Sequence, residues 1–223
     1  MPVFDKHELI YHHIPKTAGR AISEWLGEAD AHIGHLPVVG IEQQLELWDS
    51  KKFKFLPDRK TYRSFSIMRS PEERIRSAFE HIKSTPLESK CQNGNLRKQY
   101  QKAFSGNFND FLLSEDILEI IMSKNSTLLY PLTWMFCSDS GNVKTPVVLS
   151  PDFVLDFDNL EDDTDLMVEK LKLDVELKFK FKRTPREIET LSNVAYTKLR
   201  YLWNWDFKIY DFFLGNLHIK KVL

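Results

Sequence analysis

Apolar positions along the chain switch between two periods, and the switches mark strands alternating with helices. "ELIYHHI" (8–14) is a short apolar run ended by Pro15, the pattern of a buried strand. Helical spacing follows at Ala18, Ala21, Ile22, Trp25 and Leu26 and stops near Gly27. "AHIGHLPVVG" (31–40) reads as a loop and "IEQQLELW" (41–48) as a short helix. "TYRSFSIM" (61–68) is a second strand, halted by "RSP", and Pro71 suits the first turn of the helix "EERIRSAFEHIK" (72–83). Residues 84–107 are polar and turn-rich, long for a plain connection, and read as a mobile or substrate-facing segment. Helices are expected around 108–124 and 126–137. "VKTPVVLSPDFVLDFDNL" supplies one or two further strands, and "EDDTDLMVEKLKL" a helix with acids in its first turn. "VELKFKFK" alternates like a strand, and the tail from Pro185 to Leu214 is mostly helical. No repeat or linker divides the chain, so residues 1–223 read as one domain. The alternation predicts an α/β fold, a mainly parallel sheet flanked by helices.

Composition narrows the picture in a few places. With 223 residues the chain can bury one sizeable core, and 16 Phe, seven Tyr and five Trp favour packing over disorder. A net charge of −1 gives no overall attraction to nucleic acid or acidic membranes, so any anion site must be built locally. Cys91 and Cys137 form neither a disulfide framework nor a metal-ligand pattern. They read as reduced thiols, which predicts a cytoplasmic location or a soluble piece of a longer protein. Asp5, Lys6 and Glu8 argue against a signal peptide, and "TLLYPLTWMFC" is too short to span a bilayer.

The chemistry concentrates in "HIPKTAGRA" and "MRSPEERIRSAF", both at strand-to-helix junctions. In a parallel sheet, ligands bind beyond the carboxyl ends of the strands, where such junctions lie. In the first, backbone amides at a helix start can converge on an anion, aided by the helix dipole. Gly19 permits close approach and Lys16 adds a full charge. In the second, Arg69 at the strand end can grip an anion as a fork, and Ser77 two helical turns along can add a hydroxyl. Arg74 and Arg76 read as surface or salt-bridging side chains, and Glu72 and Glu73 as favouring the helix dipole. Two anion sites about 50 residues apart suit a nucleotide with phosphates at both ends of its ribose.

Here the motifs resemble a known family. "HIPKTAGRAISEWL" resembles the 5′-phosphosulfate loop of the sulfotransferases, in the family 2-like branch that includes the carbohydrate enzymes. "SIMRSPEERIRSAFEHI" resembles that family's 3′-phosphate motif, Arg-x-Pro followed by Arg and Ser-Ala-aromatic. "DFVLDFDNLEDD" is similar to its later strand-and-acidic-turn block, and "LWNWDFKIYDFF" to its closing segment. The resemblance implies a P-loop-like three-layer sandwich and 3′-phosphoadenosine 5′-phosphosulfate as donor. It implies that Pro15, Lys16, Thr17, Ala18, Gly19, Arg20 and Ala21 cradle the 5′ end, and that Arg69 and Ser77 hold the 3′-phosphate. Lys16 then faces the bridging oxygen, where charge grows as the bond to sulfur breaks. Arg20 and Ala21 depart from the family's usual hydroxyl residues, and Pro131-Leu132 from its usual Pro-Gln.

Transfer to a hydroxyl acceptor, on a sugar, lipid or small molecule, is helped by a base. The resemblance places that base in the loop after the first helix, which holds His32 and His35. "GHLP" favours His35, with His32 second. His12 and His13 end the first strand and read as structural or catalytic, and His81 as packed or solvated. The acidic run 156–165 reads as a helix start, and no metal is expected. Two other readings stay open at this level. One is a kinase holding ATP phosphates, although the Gly-Lys-Ser/Thr order is missing. The other is a nucleotide- or glycan-binding protein without turnover.

Overall fold

A computed structural model of the protein describes residues 2–27, 31–32, 62–123, 125–133, 151–175, 179–181 and 189–215. The strands are β1 (Pro2–Phe4), β2 (Leu9–His12), β3 (Ala31–His32), β4 (Arg63–Met68) and β5 (Phe153–Asp156). They form one sheet in the order β3-β1-β2-β4-β5. β2, β4 and β5 are parallel, with Tyr11 opposite Phe65 and Phe65 opposite Phe153. β1 pairs antiparallel with both β2 and β3. The expected parallel arrangement therefore holds on the β2-β4-β5 side, and the β3-β1 side is antiparallel.

The helices are α1 (Gly19–Leu26), α2 (Pro71–Ser84), α3 (Gln92–Gln99), α4 (Phe108–Leu113), α5 (Ile117–Met122), α6 (Leu160–Leu171), α7 (Asn193–Leu202) and α8 (Asn204–Gly215). Strand side chains alternate between the two faces. Leu9, Tyr11, Phe65, Ile67 and Leu155 share one face and pack with Ile22 and Leu26 of α1 and Leu160 and Met167 of α6. Met68 and Val154 share the other face and meet Ile209 and Phe213 of α8. The result is a three-layer α/β sandwich. A further helical core joins α2–α5 and α7 around Phe79, Phe104, Phe108 and Phe111. Each such fully buried side chain contributes about 1.5–3 kcal/mol.

Several elements differ from the sequence pattern. Residues 84–107 are not an open connection: α3 lies within them, and Leu96, Ala103 and Phe104 are buried in the helical core. Three apolar anchors suffice to dock a segment whose remaining residues are polar. The helix expected over 108–124 breaks into α4 and α5, because Ser114 ends α4 in an extended conformation. At 126–137 the described residues show a 3₁₀ turn, Thr127–Leu129, and after Pro131 helical backbone at 132–133. In "VELKFKFK" residues 179–181 are not a strand. Phe179 and Phe181 turn into the core, and the Phe181 N–H donates to Glu161 Oε1 (2.5 Å) rather than to a strand. The tail is helical as α7 and α8 with a break at Trp203, whose Nε1 donates to Leu129 O (3.1 Å). The helix expected at 41–48 and a strand in 143–150 lie outside the described residues.

Candidate functional site

After β2 the chain turns sharply before entering α1. Lys16 (φ 70°) and Ala18 (φ 63°) both adopt the left-handed conformation. For non-glycine residues this costs about 1–2 kcal/mol each, so something must hold them. Between them Thr17 is fully buried, and its Oγ1 donates to Ile14 O (2.8 Å). From below, the Tyr11 hydroxyl donates to Thr17 O (3.1 Å). The Tyr11 ring stacks on Phe65 at 4.8 Å, so the core fixes that hydroxyl. Burial raises the Tyr11 hydroxyl well above an ordinary tyrosine, outweighing the pull of Thr17, and keeps it a donor at any working pH. Backbone turning with alternating hand gathers N–H groups into a concave anion-binding nest.

The loop then opens directly into α1. Its N-cap residue, Ala18, has no capping side chain, and the first turn contains no acid. The helix start therefore keeps its positive end uncompensated by its own side chains. Gly19 has a reason that the sequence did not disclose. A Cβ there would lie 2.0 Å from His13 Nε2, so the imidazole occupies the space a side chain would need. The His13 ring stacks in turn on Tyr11 at 5.2 Å.

Parallel pairing of β2 with β4 brings the second junction alongside the first. Arg69 Nη1 donates to Lys16 O (3.1 Å), its Nε lies 3.5 Å from Glu73 Oε2, and its guanidinium sits 4.3 Å over the Phe157 ring. Pro71 opens α2, with Glu72 and Glu73 in the first turn. Arg76 pairs with Glu72 at 3.0 Å, and Ser77 is buried. Arg74, expected at the surface or in a salt bridge, is 1% exposed and pairs with Asp206 at 2.7 Å. It also donates to Tyr130 O, while Leu132 N donates to Asp206. Burial pushes the Asp206 carboxyl up to about 6, against the opposing pull of Arg74.

The structure thus brings Lys16 and Arg69 into contact beyond the carboxyl ends of β2 and β4, with Ser77 buried two turns along α2. Lys16 is half-buried, and Arg20 is exposed in the first turn of α1. Thr17 turns its hydroxyl inward and offers only its backbone; Ala21 packs against the sheet core. Pro15 is buried in the turn. His35 lies outside the described residues. His32 lies in β3 opposite Pro2, two strands and about 10 Å from β2. The roles of Tyr11, Phe157 and Asp206 left no sequence signal beyond aromaticity or a lone acid among apolar residues. His81 is exposed on α2; partial burial, then the charges of Lys16 and Arg20, hold its imidazole below the ordinary range. His12 is buried and held at about 4, chiefly by desolvation. The acidic run after β5 does start a helix: Glu161, Asp162 and Asp163 occupy the first turn of α6. Among the described residues no group of His, Cys, Asp or Glu is arranged to hold a metal, and no helix is long and apolar enough to cross a membrane.

A strand, a strained lysine-bearing turn and an open helix start, tied to an arginine at the end of the next parallel strand, lie together in this α/β protein. The family model described as the sulfotransferase family matches residues 1–212, and the chain belongs to that family. No curated protein and no solved structure matches it.

Proposed function

We propose that the chain, as one catalytic domain over residues 1–223, transfers a sulfuryl group from 3′-phosphoadenosine 5′-phosphosulfate to a hydroxyl acceptor, a sugar among the candidates. Family membership supports sulfotransfer in general. The observation that carries the finer reading is the pre-strained turn around Lys16, held open by Tyr11 and Thr17. Left-handed non-glycine backbone is retained where surrounding structure enforces it, typically at working sites. In this reading Pro15 to Ala21 receive the 5′ end of the donor through backbone N–H groups and the α1 dipole. Arg69 and Ser77 receive the 3′-phosphate. Lys16 faces the bridging oxygen, and its charge stabilises the leaving group as the S–O bond breaks. A histidine, His35 by the sequence resemblance, takes the acceptor proton. The exposed free thiol of Cys91 suits a reducing compartment, and the cytoplasm is the proposed location.

The test combines thermal shift with turnover. Adenosine 3′,5′-bisphosphate and the phosphosulfate donor should raise Tm, ATP should not, and sulfate should reach an acceptor from a glycan and small-molecule panel. Stabilisation by ATP alone would replace this reading with a kinase. Stabilisation by the bisphosphate without transfer to any acceptor would leave a binding protein.

A further inference from the structure

We propose that Glu73 is a further donor-site residue: its carboxylate competes with the donor's 3′-phosphate for Arg69 and so sets how tightly the nucleotide is held. The inference rests on the proposed function and deepens it at the 3′ end. Arg69 directly follows β4, and its Nη1 donates to Lys16 O (3.1 Å) while its guanidinium lies 4.3 Å over the Phe157 ring. These contacts come from the loops after β2 and β5, and they hold the guanidinium without neutralising it. The Glu73 carboxylate is a looser contact, with Oε2 3.5 Å from Nε. Charge-assisted N–H···O bonds ordinarily span about 2.7–2.9 Å. The other two arginines of α2 approach that range, Arg76 with Glu72 at 3.0 Å and Arg74 with Asp206 at 2.7 Å. Arg69 and Glu73 also keep 13% and 22% of their side chains exposed, so an anion from solvent can reach them; the Arg74–Asp206 pair is sealed at 1% and 0%. The pair at the proposed 3′ site is thus both longer and more accessible than the pair behind it.

The chemistry favours exchange. A phosphate monoester carries about −1.5 to −2 charges and three strong acceptor oxygens, whereas a carboxylate carries a single charge. Arginine grips phosphate as a fork through two N–H groups, so the phosphate displaces the looser acid. The guanidinium need not move, because Lys16 O and Phe157 already hold it. The displaced carboxylate keeps a favourable place as well: Glu73 lies in the first turn of α2, where the positive helix end stabilises an acid. Releasing Glu73 offsets part of the attraction between Arg69 and the nucleotide. The bisphosphate left after transfer therefore departs more readily than from an unopposed arginine. A 3′-hydroxyl carries no charge and leaves the Arg69–Glu73 pair in place, so nucleotides without a 3′-phosphate are blind to Glu73.

Calorimetry and stopped-flow dissociation on three proteins read this directly: wild type, Glu73→Gln and Glu72→Gln. Glu73→Gln keeps the size of the side chain and removes its charge. It should bind adenosine 3′,5′-bisphosphate about fivefold more tightly than wild type, mostly through slower release. Its affinity for adenosine 5′-phosphate should stay at the wild-type value. Glu72→Gln removes an equal charge from the same helical turn, but one paired with Arg76, and should change neither affinity. Weaker bisphosphate binding in Glu73→Gln would overturn the proposal, since Glu73 would then be aiming Arg69 rather than competing for it. Unchanged binding, equal tightening of both nucleotides, or the same gain in Glu72→Gln would overturn it too. Failure of wild type to bind the bisphosphate at all would instead remove the proposed function, and this competition with it.

Discussion

At the start of α1 the chain sets a cation, Arg20, in the first helical turn, with no acid and no capping side chain. At the start of α2 it sets Pro71, Glu72 and Glu73, and ties two arginines to the acids. The second junction supplies its own counter-charge; the first has no acid in its first helical turn. The backbone follows the same division. The α1 junction contains two left-handed non-glycine residues, whereas α2 begins with proline, whose fixed φ suits a helix start. One junction is stable by itself, and the other is stable because Tyr11, Phe65 and Arg69 hold it. Arg69 belongs to both, since its guanidinium reaches Lys16 O and Glu73 together.

The largest effect that separates the two halves should come from the ion pair behind α2. Asp206→Leu leaves the Arg74 guanidinium buried without its counter-charge, with only the carbonyls of Leu128 and Tyr130 to receive it, and breaking such a pair costs about 3–5 kcal/mol. Arg74→Met should cost less, because the stranded carboxyl, already near 6, can take up a proton and the guanidinium cannot lose one. Replacing both residues together should recover most of the loss. Urea unfolding of the three variants checks the order; equal single losses would contradict it.

Next comes the lysine. Lys16→Ala should keep the fold and lower turnover roughly 10²–10³-fold, the loss expected of one preorganised electrostatic stabiliser. Near-normal turnover in folded Lys16→Ala protein would remove the lysine from the chemistry.

The strand that feeds the first junction should show its own acid weakness. His12 titrates at about 4 in the fold, against 6.5 when unconstrained. Its depressed value means that stability is complete above 6.5 and declines as pH falls toward 4, by about 3 kcal/mol. Asp206 has the opposite sign: its raised value favours the fold at low pH, and that contribution is lost as pH rises through about 6. The His12 effect is therefore read as the difference between wild type and His12→Gln. A wild-type slope that the variant reproduces would place the acid sensitivity elsewhere.

How much of this was legible in the residues depends on local pattern. β2, α1, β4 and α2 carry unbroken periodicity closed by Pro15, Gly27 and Pro71, and they stand within two residues of where that pattern puts them. α3 was hidden because Leu96 is its single buried apolar side chain and its N-cap is the sulfur of Cys91. The break between α4 and α5 was hidden for the opposite reason: apolar spacing runs through Ser114 as if the helix continued. β1 is only three residues long, too short for any period. Lys16 and Arg69 stood out because they are cations at strand-to-helix junctions, and Ser77 because it follows Arg69 at helical spacing. The left-handed turns, the His13 ring against Gly19 and Phe157 beneath Arg69 arise from tertiary packing, and no spacing along the chain encodes them.

Arg69→Ala bears on the shared member of the comparison. Affinity for adenosine 3′,5′-bisphosphate should fall by about 1.5–3 kcal/mol, and adenosine 5′-phosphate should lose less, through the Lys16 carbonyl alone. Calorimetry on both nucleotides measures the gap; equal losses would make Arg69 a brace for the loop and nothing more. The smallest effect is Ala18→Gly. Relief of the left-handed strain, less the entropy of a new glycine, should add roughly 0.5 kcal/mol of stability. A lower Tm would mean that the methyl group packs better than its backbone suffers.

The parallel pairing of β2 with β4 also sets a timetable during synthesis. Leu9 must wait for Arg63, its partner, to be made. At ordinary translation rates the interval is roughly 3–10 s. Meanwhile β2, whose four residues are all buried in the finished fold, presents an unpaired edge to the ribosome surface and to chaperones. The Tyr11–Thr17 bond spans six residues and can close early, but the Arg69–Lys16 clamp spans 53. The interior of the turn is thus set while the chain is still nascent, and its lysine is secured only after β4 has been threaded into place.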